Sequence, residues 1–485
     1  MNPTIHRRLR GFPAACALAG AAWLAAGCAS MAPPYEAPAL PVAAQYPSDA
    51  PADAAGATAA SLGWRDLSTD PRLQQLIAQA LDNNRDLRIA ALRVEEARAA
   101  YAIQRAEQFP SIGANADASR SRVPADLNIT GKPLVSGTYQ AGVGMGAWEL
   151  DFWGRVRSLR DAALENFLAS DAARQAVAIG LVAEVANGYL SLRELDERVA
   201  LARRTIATRQ ESLRIFTRRF EVGSTSKLDL TQVQTLLTQA QALGVQLEQA
   251  RASQAHALEL LVGAPVDLPT APSGLEDGSV VQQLRPGLPS DLLAARPDIL
   301  AAEHQLRAAQ ANIGAARAAF FPRITLTGSL GTASAEFDGL FKSGSGTWSF
   351  APSLSLPIFD AGRNQAGLDL SQVRRDIAVA NYEKTVQSAF REVSDALTAQ
   401  QRLAEQVRIQ QAAQDAQQER ARLARLRYDN GAAAFLEVLD AQRDLLSTEQ
   451  QLVQTRRALL SARVGLYAAL GGGAQALPTA TTPAH

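Results

Sequence analysis

The chain is written twice. Phe220-Glu221-Val222-Gly223, followed by Leu228-Asp229-Leu230 and Gln234, reappears 208 residues later as Tyr428-Asp429-Asn430-Gly431 with Leu436-Glu437-Val438 and Gln442. The same offset carries Gly154-Arg155 onto Gly362-Arg363 and residues 258–263 onto 466–471. At an offset of 212, Phe109-Pro110 falls on Phe321-Pro322, and Ala97 and Arg105 fall on Ala309 and Arg317. A period this long is a duplicated domain-sized unit, not a solenoid repeat. The expected layout is a first structural repeat at 62–264, a linker or equatorial segment at 265–289, a second repeat at 290–472 and a tail at 473–485.

Proline placement sets the secondary structure of each repeat. A proline inside a helix costs about 3 kcal/mol, yet none occurs in 155–264 or in 358–477, runs of 110 and 120 residues. Each run holds one turn signal, Glu221-Val222-Gly223-Ser224 or Asp429-Asn430-Gly431. Each repeat therefore reads as short helix, two strands, very long helix, turn, long helix. The long helices are expected over 155–220 and 226–262, and again over 363–429 and 433–470. The helix before each turn has about 65 residues, roughly 95 Å at 1.5 Å per residue. Helices of that length point to coiled-coil packing.

Heptads agree. Leu445, Leu452, Leu459 and Leu466 recur every seven residues, and Leu439, Leu446, Val453 and Leu460 follow the same step. Val379, Val386 and Val393 repeat likewise. In the first repeat Leu230, Val233, Leu237, Ala240, Gly244 and Leu247 advance by three and four, with Leu236, Leu243 and Ala250 as a second row. One seam pairs a helix with one neighbour; two adjacent seams give neighbours on both sides, as in a ring. A plain antiparallel hairpin in a four-helix bundle has the same periodicity, so periodicity alone leaves both open.

The strands, expected over about 111–121, 137–150, 323–334 and 346–359, alternate with period two. Ile112, Ala114, Ala116 and Ala118 face one way, as do Tyr139, Ala141, Val143, Met145 and Ala147. Ile324, Leu326 and Leu330, then Trp348, Phe350, Leu354 and Leu356, do the same, with Gly, Ser, Thr, Asn and Asp between them. A half-buried soluble sheet has this pattern. So does a transmembrane barrel, whose tilted strands of about ten residues span an outer membrane. Four strands leave two open edges, which lipid does not tolerate. Small bacterial barrels need at least about eight strands, so strands in lipid require several copies of the chain.

The N-terminus carries His6, Arg7, Arg8 and Arg10, then an uncharged stretch of 17 residues, 11–27, ending in Leu24-Ala25-Ala26-Gly27-Cys28. That stretch is short for a membrane helix and suits a signal peptide. Small residues before a cysteine resemble a bacterial lipoprotein signal, in which Cys28 becomes the acylated first residue; Leu lies four positions before it, where three is commoner. Ala29, not Asp, follows the cysteine, which in that resemblance implies sorting to the outer membrane. An ordinary secretory peptide cut near Ala26 is the plain alternative. Residues 28–61, rich in Ala, Pro, Ser and Asp, read as an extended lipid-anchored tether.

Composition excludes several functions. Lys plus Arg equals Asp plus Glu at 48 each, which argues against a nucleic-acid partner. Two Cys and four His supply neither a disulfide framework nor metal-ligand spacing. No nucleophile motif or phosphate loop is visible, and His256 and His304 read as packed or solvated. Neither enzyme activity, cofactor nor metal is expected.

Ala295-Arg296-Pro297-Asp298-Ile299, Ala315-Ala316-Arg317-Ala318-Ala319-Phe320-Phe321-Pro322, and Tyr428-x-x-Gly431 followed by Val438-Leu439-Asp440-Ala441-Gln442-Arg443, together with the duplication, resemble the TolC-type outer-membrane factors, in their efflux-lipoprotein branch. The resemblance covers nearly the whole mature chain. It implies a mainly α protein with a β-barrel part: a homotrimer whose twelve-stranded barrel, four strands per protomer, is continuous with a long periplasmic α-helical barrel. It also implies a periplasmic adaptor and an inner-membrane pump, of the resistance-nodulation-division type, as partners. Residues follow by motif. Gly223, Ser226, Leu228, Tyr428 and Gly431 would form adaptor-docking tips, although glycines there also serve as plain helix caps. Leu436, Glu437, Asp440 and Arg443 would form a periplasmic gate: an apolar constriction, two acidic groups on one helical face and a cation that can latch a neighbour's carboxylate. Without the resemblance these charges are a solvated i, i+3 row. Some relatives carry an Arg two residues after the tip glycine; Ala433 stands here.

The expected function is a passive efflux exit duct for small molecules in the outer membrane, projecting into the periplasm. The same architecture can serve type I protein secretion. A different class is a periplasmic coiled-coil scaffold lipoprotein with a soluble sheet.

Overall fold

The computed structural model describes residues 30–46, 57–58, 62–270, 274–275, 278–281, 284–285 and 289–474. The signal segment 1–27 and Cys28 lie outside the described residues, as do parts of 28–61 and 265–289 and most of 473–485. The main elements are α1 (Pro71–Asn83), α2 (Arg85–Ala106), β1 (Ile112–Val123), β2 (Leu134–Glu149), α3 (Arg155–Glu221) and α4 (Lys227–Val262). They are followed by α5 (Pro297–Ala318), β3 (Arg323–Ser334), β4 (Gly346–Ser355), α6 (Arg363–Asp429) and α7 (Phe435–Ala469). A two-residue parallel pairing joins Ala57–Thr58 to Leu284–Arg285. The chain divides into two compact units: one comprising 1–39, 95–169 and 302–382, the other 40–94, 170–301 and 383–485.

The first unit holds an antiparallel four-stranded sheet in the order β1-β2-β3-β4. Its register turns the alternation of the sequence into continuous rows. Ala114 pairs with Val143, Val143 with Leu330, and Leu330 with Trp348. The next apolar row runs Ile112, Met145, Gly328, Phe350. Between them, on the opposite face, lies Gly113, Gly144, Ser329, Ser349, and beyond it Asn115, Gly142, Gly331, Thr347. On that polar face the backbones of β2 and β3 close in: a Cβ on Gly331 would stand 2.3 Å from the Ala141 carbonyl oxygen. An irregularity between Met145 and Trp148 shifts the β2–β3 register. No residue of the four strands is buried within the protomer. The apolar face is largely uncovered: its Leu330, Trp348, Phe350 and Leu354 are 63–75% exposed, and Phe337 of the β3–β4 connection meets Tyr139.

The same unit fixes the segment that begins two residues after Cys28. Residues 30–35 lie along α5, held almost residue by residue. The Ser30 and Ser158 hydroxyls stand 3.2 Å apart, Arg317 donates to the Met31 carbonyl at 3.2 Å, and Gln310 to that of Pro33 at 3.1 Å. Tyr35 donates to Glu303 at 2.9 Å beneath the Arg307 guanidinium, 4.7 Å from its ring centre. Burial, with Glu303 beside it, pushes the Tyr35 hydroxyl up to about 12. Gly314 makes this contact possible, since a Cβ there would lie 2.7 Å from the Ala32 nitrogen. The start of the tether is a docked strap.

The second unit is helical. α4 buries Leu230, Val233, Leu237, Ala240, Gly244 and Leu247, the seam that steps by three and four. Against it pack Phe216, Val199 and Ala202 of α3. α7 is held from two sides. Its Leu439 joins Phe216, Leu230 and Val233, whereas its Val438 and Ala441 pack on Ala424 of α6. Leu452, Leu459, Leu466, Val453 and Leu460, from both heptad rows, are buried. Contact on two sides is what a ring of helices requires, and a four-helix bundle provides it as well.

Candidate functional site

The site sits where each pair of long helices turns. α3 and α6 end in the same hydrogen-bond pattern. Gly223 donates to the Phe220 carbonyl at 3.0 Å and Ser224 to that of Arg219 at 2.8 Å; Gly431 donates to Tyr428 at 2.9 Å and Ala432 to Arg427 at 2.8 Å. These paired bonds are a Schellman ending, which needs a left-handed residue. Gly223 and Gly431 supply it, at φ 74 and 70.

The two turns differ at the start of the following helix. Ser226 caps α4 in a reciprocal box: its hydroxyl accepts from the Asp229 amide at 3.1 Å, and the Asp229 carboxylate accepts from the Ser226 amide at 3.2 Å. The Ser226 hydroxyl also donates to that carboxylate at 2.7 Å, and these bonds hold the Asp229 carboxyl below the usual range. The duplicate positions are Ala434 and Glu437. Ala434 offers no side-chain cap, and the Glu437 carboxylate is bound across the turn by Arg427 at 2.6 Å. The acidic group that closes a cap in the first repeat bridges two helices in the second.

Aromatic rings join the turns. Phe435 stands 4.5 Å from Phe216 and 4.8 Å from Tyr428, centre to centre. Arg219 lies over both Phe216 and Tyr428, at 5.7 and 5.6 Å, and donates to the Tyr428 hydroxyl. Leu228 and Leu436, matching positions of the two repeats, are 67% and 46% exposed in the protomer.

Below the second turn the structure brings Asp440 and Arg443 together at 3.2 Å and adds Asp444, 3.0 Å from Arg443. Asp444 also receives Arg420 of α6 at 2.8 Å. Arg420 and then Arg443 hold the Asp444 carboxyl below its usual range. Arg209 of α3, 4% exposed, donates to the Leu236 carbonyl at 2.5 Å. Burial first, then the nearby Arg443 charge, push its guanidinium downward. Glu437 is thus engaged with Arg427, while Asp440 and Arg443 form one chain of charges with Asp444 and Arg420.

Arg427, Arg420, Asp444, Arg219 and Phe435 are the participants that sequence reasoning missed. The duplication carried one usable signal, since Arg427 maps onto Arg219 at the offset of 208. No cluster of His, Cys, Asp or Glu able to hold a metal occurs among the described residues.

A sheet largely bare on its apolar face, joined in one chain to two long helical hairpins, defines one protomer of an outer-membrane channel. The comparisons agree: residues 76–264 and 288–472 match the family described as outer membrane efflux protein. The chain is 45% identical over 459 residues to the antibiotic efflux pump outer membrane protein ArpC of Pseudomonas putida, covering 94% of this chain and 95% of that protein. It is 45% identical over 453 residues to outer membrane protein OprJ of Pseudomonas aeruginosa, covering 93% and 94%. Among solved structures, the open state of the MtrE outer membrane channel of Neisseria gonorrhoeae superposes with a TM-score of 0.84 at 39% identity, covering 92% of this chain and 98% of that one. The CmeC outer membrane channel of Campylobacter jejuni superposes with a TM-score of 0.86 at 26% identity, covering 92% and 95%.

The chain therefore belongs to the outer membrane efflux protein family. It is an outer-membrane channel protein that projects into the periplasm, with the fold of the trimeric efflux channels, four strands per protomer. The family is one of transport proteins.

Proposed function

We propose that this protein is the passive exit duct of a tripartite pump, opened and closed at its second helical turn, and that it carries no chemistry of its own. The observation that carries the duct is the largely bare sheet. A four-stranded sheet with no buried residue cannot be the half-covered sheet of a soluble scaffold. Three protomers sharing one wall pair every edge, turn the Ala114-Val143-Leu330-Trp348 face to lipid and enclose the Ser, Gly, Asn and Thr face as a wet lumen. The partners are a periplasmic adaptor and an inner-membrane pump of the resistance-nodulation-division type. Relatives named for antibiotic and toluene efflux point to small, largely apolar toxic compounds as the cargo.

The gate is assigned to Leu436, Glu437, Asp440 and Arg443. Their support is position on the first turns of α7 and a charge chain that ties α7 to α6 through Arg420 and Arg427. Around a threefold axis, three copies of Asp440 would lie near one another, and like charges at close range raise some carboxyl pKa values or recruit cations. Adaptor docking is assigned to the two turns, on the exposed Leu228, the capping Ser226, Tyr428 and the glycines 223 and 431. Anchoring is assigned to acylated Cys28, at roughly 0.8 kcal/mol per buried methylene.

Reconstitution in planar bilayers tests the duct. The purified protein should conduct ions as a water-filled pore, and no conductance from correctly assembled protein would contradict it. A strain lacking the protein should accumulate a lipophilic dye; unchanged accumulation would remove the efflux role.

A further inference from the structure

The hairpin end of the sheet carries two cations that nothing in the duct explains. It lies opposite the end where the helices join the strands, and so is the outer end of a channel that projects into the periplasm. On β1 the apolar face runs Ile112, Ala114, Ala116, Ala118 and then, on the same face and in unbroken register with β2, Arg120 and Arg122. Arg120 stands opposite Gly137, which offers no side chain, and Arg122 opposite Val135. Both arginines are exposed, and neither has an ion-pair or hydrogen-bond partner among the described residues. Asp117, the nearest acidic residue on the strand, is on the other face, where it accepts from Asn115 at 2.8 Å. An unpaired guanidinium on a lipid-facing surface is costly unless it reaches an anion or water.

An aromatic pair marks the level of these cations. Tyr139 is the cross-strand partner of Ala118 and meets the Phe337 ring edge-on at 5.8 Å. Aromatic girdles of this kind sit at the membrane interface. Along β1, Arg120 lies two residues beyond that girdle and Arg122 four, about 7 and 14 Å at the rise of a strand. The order along the face is apolar band, aromatic pair, two arginines. That is the order of hydrocarbon, interface and headgroup in a bilayer. At the corresponding end of the sheet, β3 offers Thr332 and Ser334 and β4 offers Gly346, so the cations belong to β1 alone.

We propose that Arg120 and Arg122 form a binding site for the phosphate groups of outer-leaflet lipid, one site per protomer. Arginine suits this, since its planar fork donates two parallel hydrogen bonds to a phosphate. The site lies at the edge strand, where one protomer meets the next in the closed barrel, so a lipid held there would seat at the seam between subunits.

The test uses the trimer extracted intact from outer membranes, titrated with bisphosphorylated lipid A and with its fully dephosphorylated form, and read by native mass spectrometry. The phosphorylated form should bind about tenfold more tightly or better. Arg120→Gln with Arg122→Gln should abolish that difference while single-channel conductance stays unchanged, and Arg120→Lys with Arg122→Lys should restore part of it. Equal binding of the two lipids to the unaltered protein would overturn the site while leaving the barrel intact. Displacement of the lipid by millimolar inorganic phosphate would also overturn it, as a site for free phosphate. The inference rests on the apolar face meeting lipid; a protein that retains no lipid or detergent would refute the barrel itself.

Discussion

Asn84 and Arg296 occupy equivalent positions at an offset of 212, and each closes the end of a long helix in its own repeat. Asn84 donates to the Leu261 carbonyl of α4 at 2.8 Å, and Arg296 to the Ala469 carbonyl of α7 at 2.9 Å. Both side chains are over nine-tenths buried. Beside each stands a left-handed glycine, Gly263 or Gly471, where a Cβ would lie 2.5 Å from the Asn83 oxygen or 2.3 Å from the Ala295 oxygen. The duplication thus preserved a joint while changing its chemistry, since Arg296 also binds Asp298 at 2.7 Å and Glu392 at 2.8 Å.

The two joints should differ in cost. Asn84→Ala leaves a buried carbonyl without its partner, about 1–3 kcal/mol. Arg296→Met leaves the Ala469 carbonyl unpartnered in the same way and also removes the cation from Asp298 and Glu392, which are 37% and 44% exposed. It should therefore cost somewhat more, by a few tenths to about 1 kcal/mol. Thermal unfolding of the detergent-solubilised channel, followed by circular dichroism, should rank the variants in that order. The reverse ranking would mean that Arg296 acts outside the fold.

Asp440→Ala combined with Arg443→Ala should raise single-channel conductance in planar bilayers, because it removes both the acidic ring and the cation that joins it to Asp444. Conductance equal to that of the unaltered channel would remove these residues from the gate.

Acid should loosen the same link. The folded Asp444 carboxyl titrates below its ordinary value. Its contribution is therefore full above the unfolded carboxylate value, about 3.9, and is lost as pH falls through the lower folded value. With it goes the Arg420 bridge between α6 and α7. Recordings at falling pH should show an acid-induced rise in open probability that Asp444→Asn already displays at neutral pH. An identical pH profile in that variant would separate Asp444 from gating.

The glycine turns should separate docking from assembly. Gly431→Val forces a β-branched residue to φ 70, a strain of about 1–2 kcal/mol, with nothing within 4 Å of the added Cβ. The barrel should assemble normally while adaptor cross-linking and efflux fall. Normal efflux would deny the turn a docking role.

Cys28→Ser should abolish acylation yet leave much of the protein as membrane-inserted trimer, since the strands anchor it independently. Loss of all trimer on outer-membrane fractionation would contradict that division.

Much of the architecture was legible because strand alternation and heptads are local codes. Ala114, Val143, Leu330 and Trp348 line up as a row because a period of two admits only one face for each. The seam from Leu230 to Leu247 is likewise written at its own spacing. The bonding around Glu437, Asp440 and Arg443 was less legible. Arg420 reaches Asp444 across 24 positions, and Arg427 reaches Glu437 across 10, contacts set by how α6 and α7 wind together. The docking of 30–35 on α5 was invisible in a segment of small residues and prolines, because it depends on the absence of a side chain at Gly314.

The central claim is that one chain's four strands cannot close and that copies share a wall. Cysteines introduced on the same, apolar face of the two edge strands, at Ala116 of β1 and at Leu354 of β4, test it in intact outer membranes. Oxidation should join neighbouring chains into a ladder that ends at three. A ladder that never forms, together with a water-soluble monomer after removal of the N-terminal anchor, would contradict the account.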